Sequence, residues 1–213
     1  MIKTFCIGPL ATNCYLYTDD ETGISAVIDP AYPSQQLIDC AKASNVKYIL
    51  LTHGHIDHIA GIKAIKEATG AKVIAHPLEK ERLNSADLNL YTAFSMYYDI
   101  GFSSVDIDIE IEDGEMFTVG NSTFIAMHTP GHTEGSVCFI CKDIIFSGDT
   151  LFCSSYGRVD FPGGSMSKMI DSFCRLCEID GDYKVLPGHN EFTDLEYERQ
   201  NNPLSHYYLQ GMY

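Results

Sequence analysis

Thr52-His53-Gly54-His55-Ile56-Asp57-His58 is the stretch on which the reading of this chain turns, because three imidazoles and a carboxylate fall within six positions. It follows Val46 to Thr52, a continuous apolar run that reads as a buried strand delivering the chain straight into His53. In extended chain His53 and His55 project to one side, while Asp57 and His58 lie where the chain turns into a helix. One metal cannot easily use all four, so the loop is suited to two neighbouring metals. Imidazole and carboxylate are the donors that Zn, Fe, Ni or Mn accept. Only eight histidines exist in 213 residues, and such clustering is not expected by chance. Solitary His76, His128 and His206 are read as satisfied core or surface residues.

Upstream, Ile2 to Ile7, Asn13 to Thr18 and Ile24 to Ile28 are short β-rich runs separated by Gly, Pro and Asp, an antiparallel start. A helix is expected from Ser34, its N-cap, through Leu37, Ile38 and Ala41. Downstream, Ile59, Ile62, Ile65 and Lys66 form one amphipathic helix ended by Gly70, and Lys72 to Ala75 is a strand. The second half repeats the mixture. Met116 to Val119 and Thr123 to Met127 flank Gly120-Asn121, Ser136 to Cys141 and Asp143 to Ser147 flank a second turn, and a helix from Ser165 to Glu178 precedes a strand from Tyr183 to Leu186. Strands followed by helices in each half predict an α/β fold, a four-layer αββα sandwich, as a single domain over residues 1–213. Leu83 to Phe102 is irregular and crowded with Tyr91, Phe94, Tyr97, Tyr98 and Phe102, which suits a pocket wall, core packing or a homodimer contact.

Three further strand ends present a ligand-type side chain: Thr129-Pro130-Gly131-His132-Thr133, Phe146-Ser147-Gly148-Asp149-Thr150 and Val185-Leu186-Pro187-Gly188-His189. Each alone is ordinary turn chemistry. Together with the histidine cluster they resemble the metallo-β-lactamase superfamily, and within it the short glyoxalase II-like (hydroxyacylglutathione hydrolase-like) branch, from about Asn13 to Leu204. The resemblance implies that His53, His55 and His132 hold one metal, that Asp57, His58 and His189 hold the other, and that Asp149 bridges them. The branch is suggested by Gly148-Asp149-Thr150-Leu151-Phe152, Gly157-Arg158 and Phe161-Pro162-Gly163-Gly164, and by the ending Glu198-Arg199-Gln200-Asn201-Asn202-Pro203-Leu204. Arg158 matches a substrate-contacting basic position of that branch, or else is a surface arginine paired with Asp160. Full-length glyoxalase II has an added C-terminal helical domain, whereas this chain stops at Tyr213.

The resulting expectation is a binuclear hydrolase acting on thioesters. Zinc is the expected metal, with iron or manganese as alternatives. A water between two cations has its pKa lowered from about 15.7 towards 7. Asp57 is the expected catalytic residue, orienting or deprotonating that water. Phosphodiester, lactone or β-lactam hydrolysis and iron-dependent oxidoreduction are the competing chemistries.

The remaining composition limits partners. Fourteen Lys and Arg against 29 Asp and Glu give a formal charge of −15, which repels nucleic acid. No apolar run reaches the roughly 18 to 20 residues of a membrane span. The start Met1-Ile2-Lys3-Thr4 lacks a secretory pattern, and the eight cysteines are read as reduced thiols, so a cytoplasmic monomer or homodimer is expected. Cys138 and Cys141 on a strand face opposite sides, and Cys174 and Cys177 fit helical core packing.

Overall fold

The structure is a computed structural model and describes residues 1–211. Two six-stranded sheets carry the molecule. The first contains β1 (Ile2–Ile7), β2 (Thr12–Thr18), β3 (Ile24–Ile28), β4 (Asn45–Leu50), β5 (Lys72–Ala75) and β6 (Ile109–Glu110) in sequence order. Its first three strands are antiparallel, and β3 to β6 are parallel. The parallel connections require crossovers, supplied by α1 (Gln35–Ala43) between β3 and β4 and by α2 (Ile56–Ile59) and α3 (Ile62–Thr69) between β4 and β5. Ser34 caps α1 by accepting from the Leu37 amide, as its position predicts.

The single helix expected after the histidines is in fact two. The break falls at Ala60-Gly61, where the Gly61 amide leaves the helical ladder and donates to Pro30 O at 2.7 Å. Residues 77–107 make the β5–β6 crossover, with short α4 (Lys80–Leu83) and α5 (Tyr91–Phe94) and little other regular structure.

The second sheet has β7 (Met116–Val119), β8 (Ser122–His128), β9 (Val137–Cys141) and β10 (Ile144–Gly148) as an antiparallel meander. A hairpin of β11 (Leu151–Phe152) and β12 (Ser155–Tyr156) follows, then α6 (Met166–Cys177). β13 (Lys184–Pro187) joins β10 in parallel, and β14 (Thr193–Asp194) closes the edge. Three elements of the C-terminal region have no counterpart in the sequence reading: β14, α7 (Leu195–Asn201) and α8 (Ser205–Gln210).

Period-two alternation sorts the apolar side chains into layers. Tyr15, Tyr17 and Ile28 of the first sheet meet Phe124, Phe139, Phe146 and Leu186 of the second in the central core. The alternate residues Leu16, Val27 and Ile49 face Leu37, Ala41, Ile62 and Ile65 of the outer helices. On the far side Cys138, Ile145 and Val185 pack on Met169, Phe173 and Leu176 of α6. This is the expected αββα order of layers. Cys138 and Cys141 do occupy opposite faces, and Cys174 and Cys177 lie in the α6 core. β4 departs from the fully buried strand expected there, because Asn45 and Lys47 are exposed while Val46, Ile49 and Leu50 are buried. No helix among the described residues is long and apolar enough to cross a membrane.

Candidate metal centre

β8, β10 and β13 run in the same direction within the second sheet, so their C-terminal ends lie on one edge. Each releases a loop there, carrying His132, Asp149 and His189 respectively. The end of β4 brings His53 to His58 to the same edge from the first sheet. Backbone hydrogen bonds stitch the sheets at this seam, among them Val137 N to Thr52 O at 2.8 Å and Asn13 N to Gly188 O at 2.7 Å. Gly188 is required by close approach: a Cβ there would fall 2.3 Å from Asp149 Oδ1 and 2.6 Å from His58 Cε1.

All seven side chains expected at the site converge. Three groups, His53/His55/His132, His53/His58/Asp149 and Asp57/His58/His189, each bring their donor atoms within 4.8 Å of one another. His55 Nδ1 lies 2.9 Å from His132 Nε2, and His189 Nε2 lies 3.0 Å from Asp57 Oδ2. Asp149 stands between the groups, with Oδ1 3.3 Å from His58 Nε2 and Oδ2 3.5 Å from His132 Nε2.

Partners on the far side of three of the rings aim their nitrogens inward. His58 Nδ1 donates to Asp29 Oδ2 at 2.9 Å, which leaves Nε2 bare. Thr52 Oγ1 donates to the same Asp29 oxygen at 2.6 Å and receives the His53 Nδ1 proton at 3.1 Å, which leaves His53 Nε2 bare. His132 Nδ1 donates to Arg158 O at 2.7 Å, so the Arg158 backbone fixes its tautomer. Outer hydrogen bonds of this kind orient metal-binding histidines. Asp29 escaped sequence reasoning. Its signal is position: it directly follows β3, the parallel neighbour of β4. In the fold it takes a φ of 48°, a backbone state uncommon for a non-glycine residue.

Charge follows burial. Burial, then the neighbouring rings, hold His53 and His55 well below the ordinary imidazole range, so both are neutral donors. Burial also opposes ionisation of Asp57, but His58 and His189 outweigh it and bring that carboxyl down to about 2. Asp149 is held far below the carboxylate range by the same two rings, again against burial. For His58 burial is outweighed by Asp57, Asp149 and Asp29, which push it well above its usual value. The carboxylates thus demand positive charge at one point in a dry site.

The donors fit a metal on a second ground. His53 Nε2, His58 Nε2 and Asp149 Oδ1 are buried and make no hydrogen bond, although each faces the shared centre. Buried polar atoms are rarely left so. Divalent cations supply both the missing charge and the missing partners.

Above the centre lies a cavity of about 570 Å³. Leu10, Leu90, Phe94, Phe152, Tyr156 and Phe161 form its walls, so part of the irregular 83–102 segment is indeed pocket wall. Arg158 also lines it, with its guanidinium 3.8 Å above the Phe161 ring and held by Asp160 through bonds of 2.7 and 2.6 Å. Arg158 thus makes the surface pair with Asp160 that one reading of it expected, and it does so at the edge of the cavity. His76, His128 and His206 lie outside the three groups.

A profile of the metallo-beta-lactamase superfamily matches residues 7–189. The hydroxyacylglutathione hydrolase GloC of Haemophilus influenzae is 31% identical over 95% of this chain and 96% of that protein. The solved structure of BLEG-1 B3 metallo-beta-lactamase superposes with a TM-score of 0.87 at 29% identity, covering 95% of this chain and 98% of the other. That of TTHA1623 in a di-iron-bound form gives a TM-score of 0.83 at 32% identity, covering 94% and 98%.

Proposed function

Because the chain belongs to the metallo-beta-lactamase superfamily, we propose that it is a binuclear hydrolase whose substrates are thioesters of the hydroxyacylglutathione type. His53, His55 and His132 would hold one divalent ion, Asp57, His58 and His189 the other, and Asp149 would serve both. Bound there, the ions supply Lewis acidity towards the substrate carbonyl and lower the pKa of water. The observation that carries this reading is the set of three buried, unpartnered donor atoms aimed at one centre.

The protein's own groups define the rest. Asp57, ionised and backed by Thr12 Oγ1 at 3.2 Å, accepts a proton-bearing contact from the attacking water and orients it. Apolar walls exclude bulk water from the acyl group and strengthen every electrostatic contact below. A thiolate, whose conjugate acid has a pKa near 8.5, departs without a dedicated general acid. Arg158 at the rim would meet a carboxylate on the departing thiol, exchanging Asp160 for it. Zinc is the first assignment. The likeness to a di-iron-bound structure makes iron the main alternative and keeps an iron-dependent oxidoreductase as the second reading. Eight free cysteines support a reducing, cytoplasmic setting.

The test is turnover of S-lactoylglutathione and an acyl-coenzyme A panel beside phosphodiester, lactone and β-lactam substrates, with bound metal quantified by mass spectrometry. Thioester hydrolysis abolished by a chelator and restored by zinc is expected. Hydrolysis of another class with no thioester turnover overturns the substrate assignment, and stoichiometric redox-active iron without hydrolysis supports the second reading.

A further inference from the structure

Behind the His53/His55/His132 group lies a buried ion pair that the reaction does not use. Glu79 and Arg82 have side chains only 1% and 5% exposed, with Nε 3.1 Å from Oε2. Glu79 Oε2 accepts from Gly54 N at 2.8 Å, and Oε1 accepts from Thr133 Oγ1 at 2.6 Å and Gly135 N at 2.9 Å. One carboxylate therefore grips the backbone between His53 and His55 and the residues just after His132. A Cβ on Gly54 would sit 2.8 Å from Oε2, so only bare backbone allows that grip. Arg82 Nη1 donates to Leu88 O at 2.7 Å and lies 3.5 Å from His55 Nε2, while Nη2 donates to Pro162 O at 3.0 Å.

A buried ion pair is weak evidence for stability, because desolvation offsets most of the Coulomb attraction. The contacts of its carboxylate suggest another purpose, since they end on loops flanking one donor group, and its guanidinium lies against His55 of that same group. Asp57, His58 and His189 lean on other supports: Thr12 on Asp57, Asp29 on His58, and Asn13 Nδ2 on the carbonyls of Pro187 and Asn190, on either side of His189.

We infer that Glu79 and Arg82 are positioning residues for the His53/His55/His132 group, setting the affinity of one metal ion separately from the other; this rests on the binuclear reading above. Titrate the metal-free chain with zinc against a chromophoric chelator, for the wild type and Glu79→Gln, each alone and in His132→Ala and His189→Ala backgrounds. Wild type takes two equivalents. Glu79→Gln weakens one of them about ten- to hundredfold, as loss of an outer-shell partner does elsewhere. The effect persists in His189→Ala and vanishes in His132→Ala, the non-additivity expected when two changes share one site. Glu198→Gln serves as the control for general loosening. It removes another fully buried carboxylate, one that holds Ser154 N, Thr193 Oγ1 and Asn202 Nδ2, and it leaves both affinities within about threefold. Should Glu79→Gln fail to fold, Thr133→Val cuts one arm of the grip and gives a smaller loss on the same ion. Unchanged affinities, or equal weakening of both ions, overturn the inference. A wild type that binds no zinc and no cobalt fails the binuclear reading itself.

Discussion

Two sets of histidines sit at strand ends in this molecule, and only one of them forms a centre. His76 follows β5 and His128 ends β8, the same kind of place that delivers His53 and His132. Yet His76 and His128 stack face to face, 4.2 Å apart at 12°, and their ring nitrogens find local partners. His76 Nδ1 accepts from Leu78 N at 3.2 Å, and His128 Nε2 donates to Glu134 O at 2.8 Å. In the other set, His53 and His58 use one nitrogen on a protein partner and leave the second buried and bare. Position at a strand end is shared; the buried, unanswered inward nitrogens of His53 and His58 are what set the clustered rings apart from the stacked pair.

The sharpest way to break this contrast is to delete from the groups that converge at the seam. Asp149→Ala or His55→Ala is expected to lower hydrolysis by about a thousandfold or more and to reduce bound metal. Full activity in either variant refutes the ligand assignment. In the unsubstituted chain a chelator should lower the melting temperature, since metal binds only the folded site.

Next comes the outer shell. Asp29→Asn retains the volume but weakens the acceptor that orients both His58 and, through Thr52, His53. Metal affinity should drop about ten- to hundredfold, read by competition with a chelating dye. Equal affinity would mean that the rings are aimed by packing alone.

The smallest effect belongs to the stacked pair. Burial, then His128, hold His76 at about 4. An imidazole depressed in the fold binds its proton later than in the unfolded chain. The ring's contribution to stability is therefore complete above the unfolded value near 6.5 and declines as pH falls from there to about 4. His76→Phe should remove that part of the acid sensitivity in denaturant titrations at pH 4.5 and 7 while leaving metal uptake unchanged. Loss of metal would put His76 in the wrong class.

What was legible in the chain divides along the same line. The histidine cluster and the three Gly-ligand turns are local patterns, each attached to a strand whose alternation can be read, so the layers and the converging side chains followed. The break between α2 and α3 depends on Pro30 O, about 30 positions away in sequence, and no local periodicity encodes it. Asp29, Glu79 and Arg82 were missed for a related reason. An isolated acidic or basic residue reads as solvated surface, and Glu79 becomes a structural acceptor only when Thr133, 54 residues onward, arrives beside it. α7 and α8 complete a core that α6 begins, through Leu195 of α7, Leu204 at the start of α8 and Tyr207 within it, which are too few to announce a helix by spacing.

The seam between the sheets carries a consequence for the life of the chain. Each donor group draws members from both sheets: His53 and His55 with His132, and Asp57 and His58 with His189. During synthesis the first half emerges with three imidazoles and an aspartate but with no complete set, and the second half alone is equally incomplete. Neither group is whole until the two halves have docked, so a cation that needs all of one group's donors can be held only by the assembled chain.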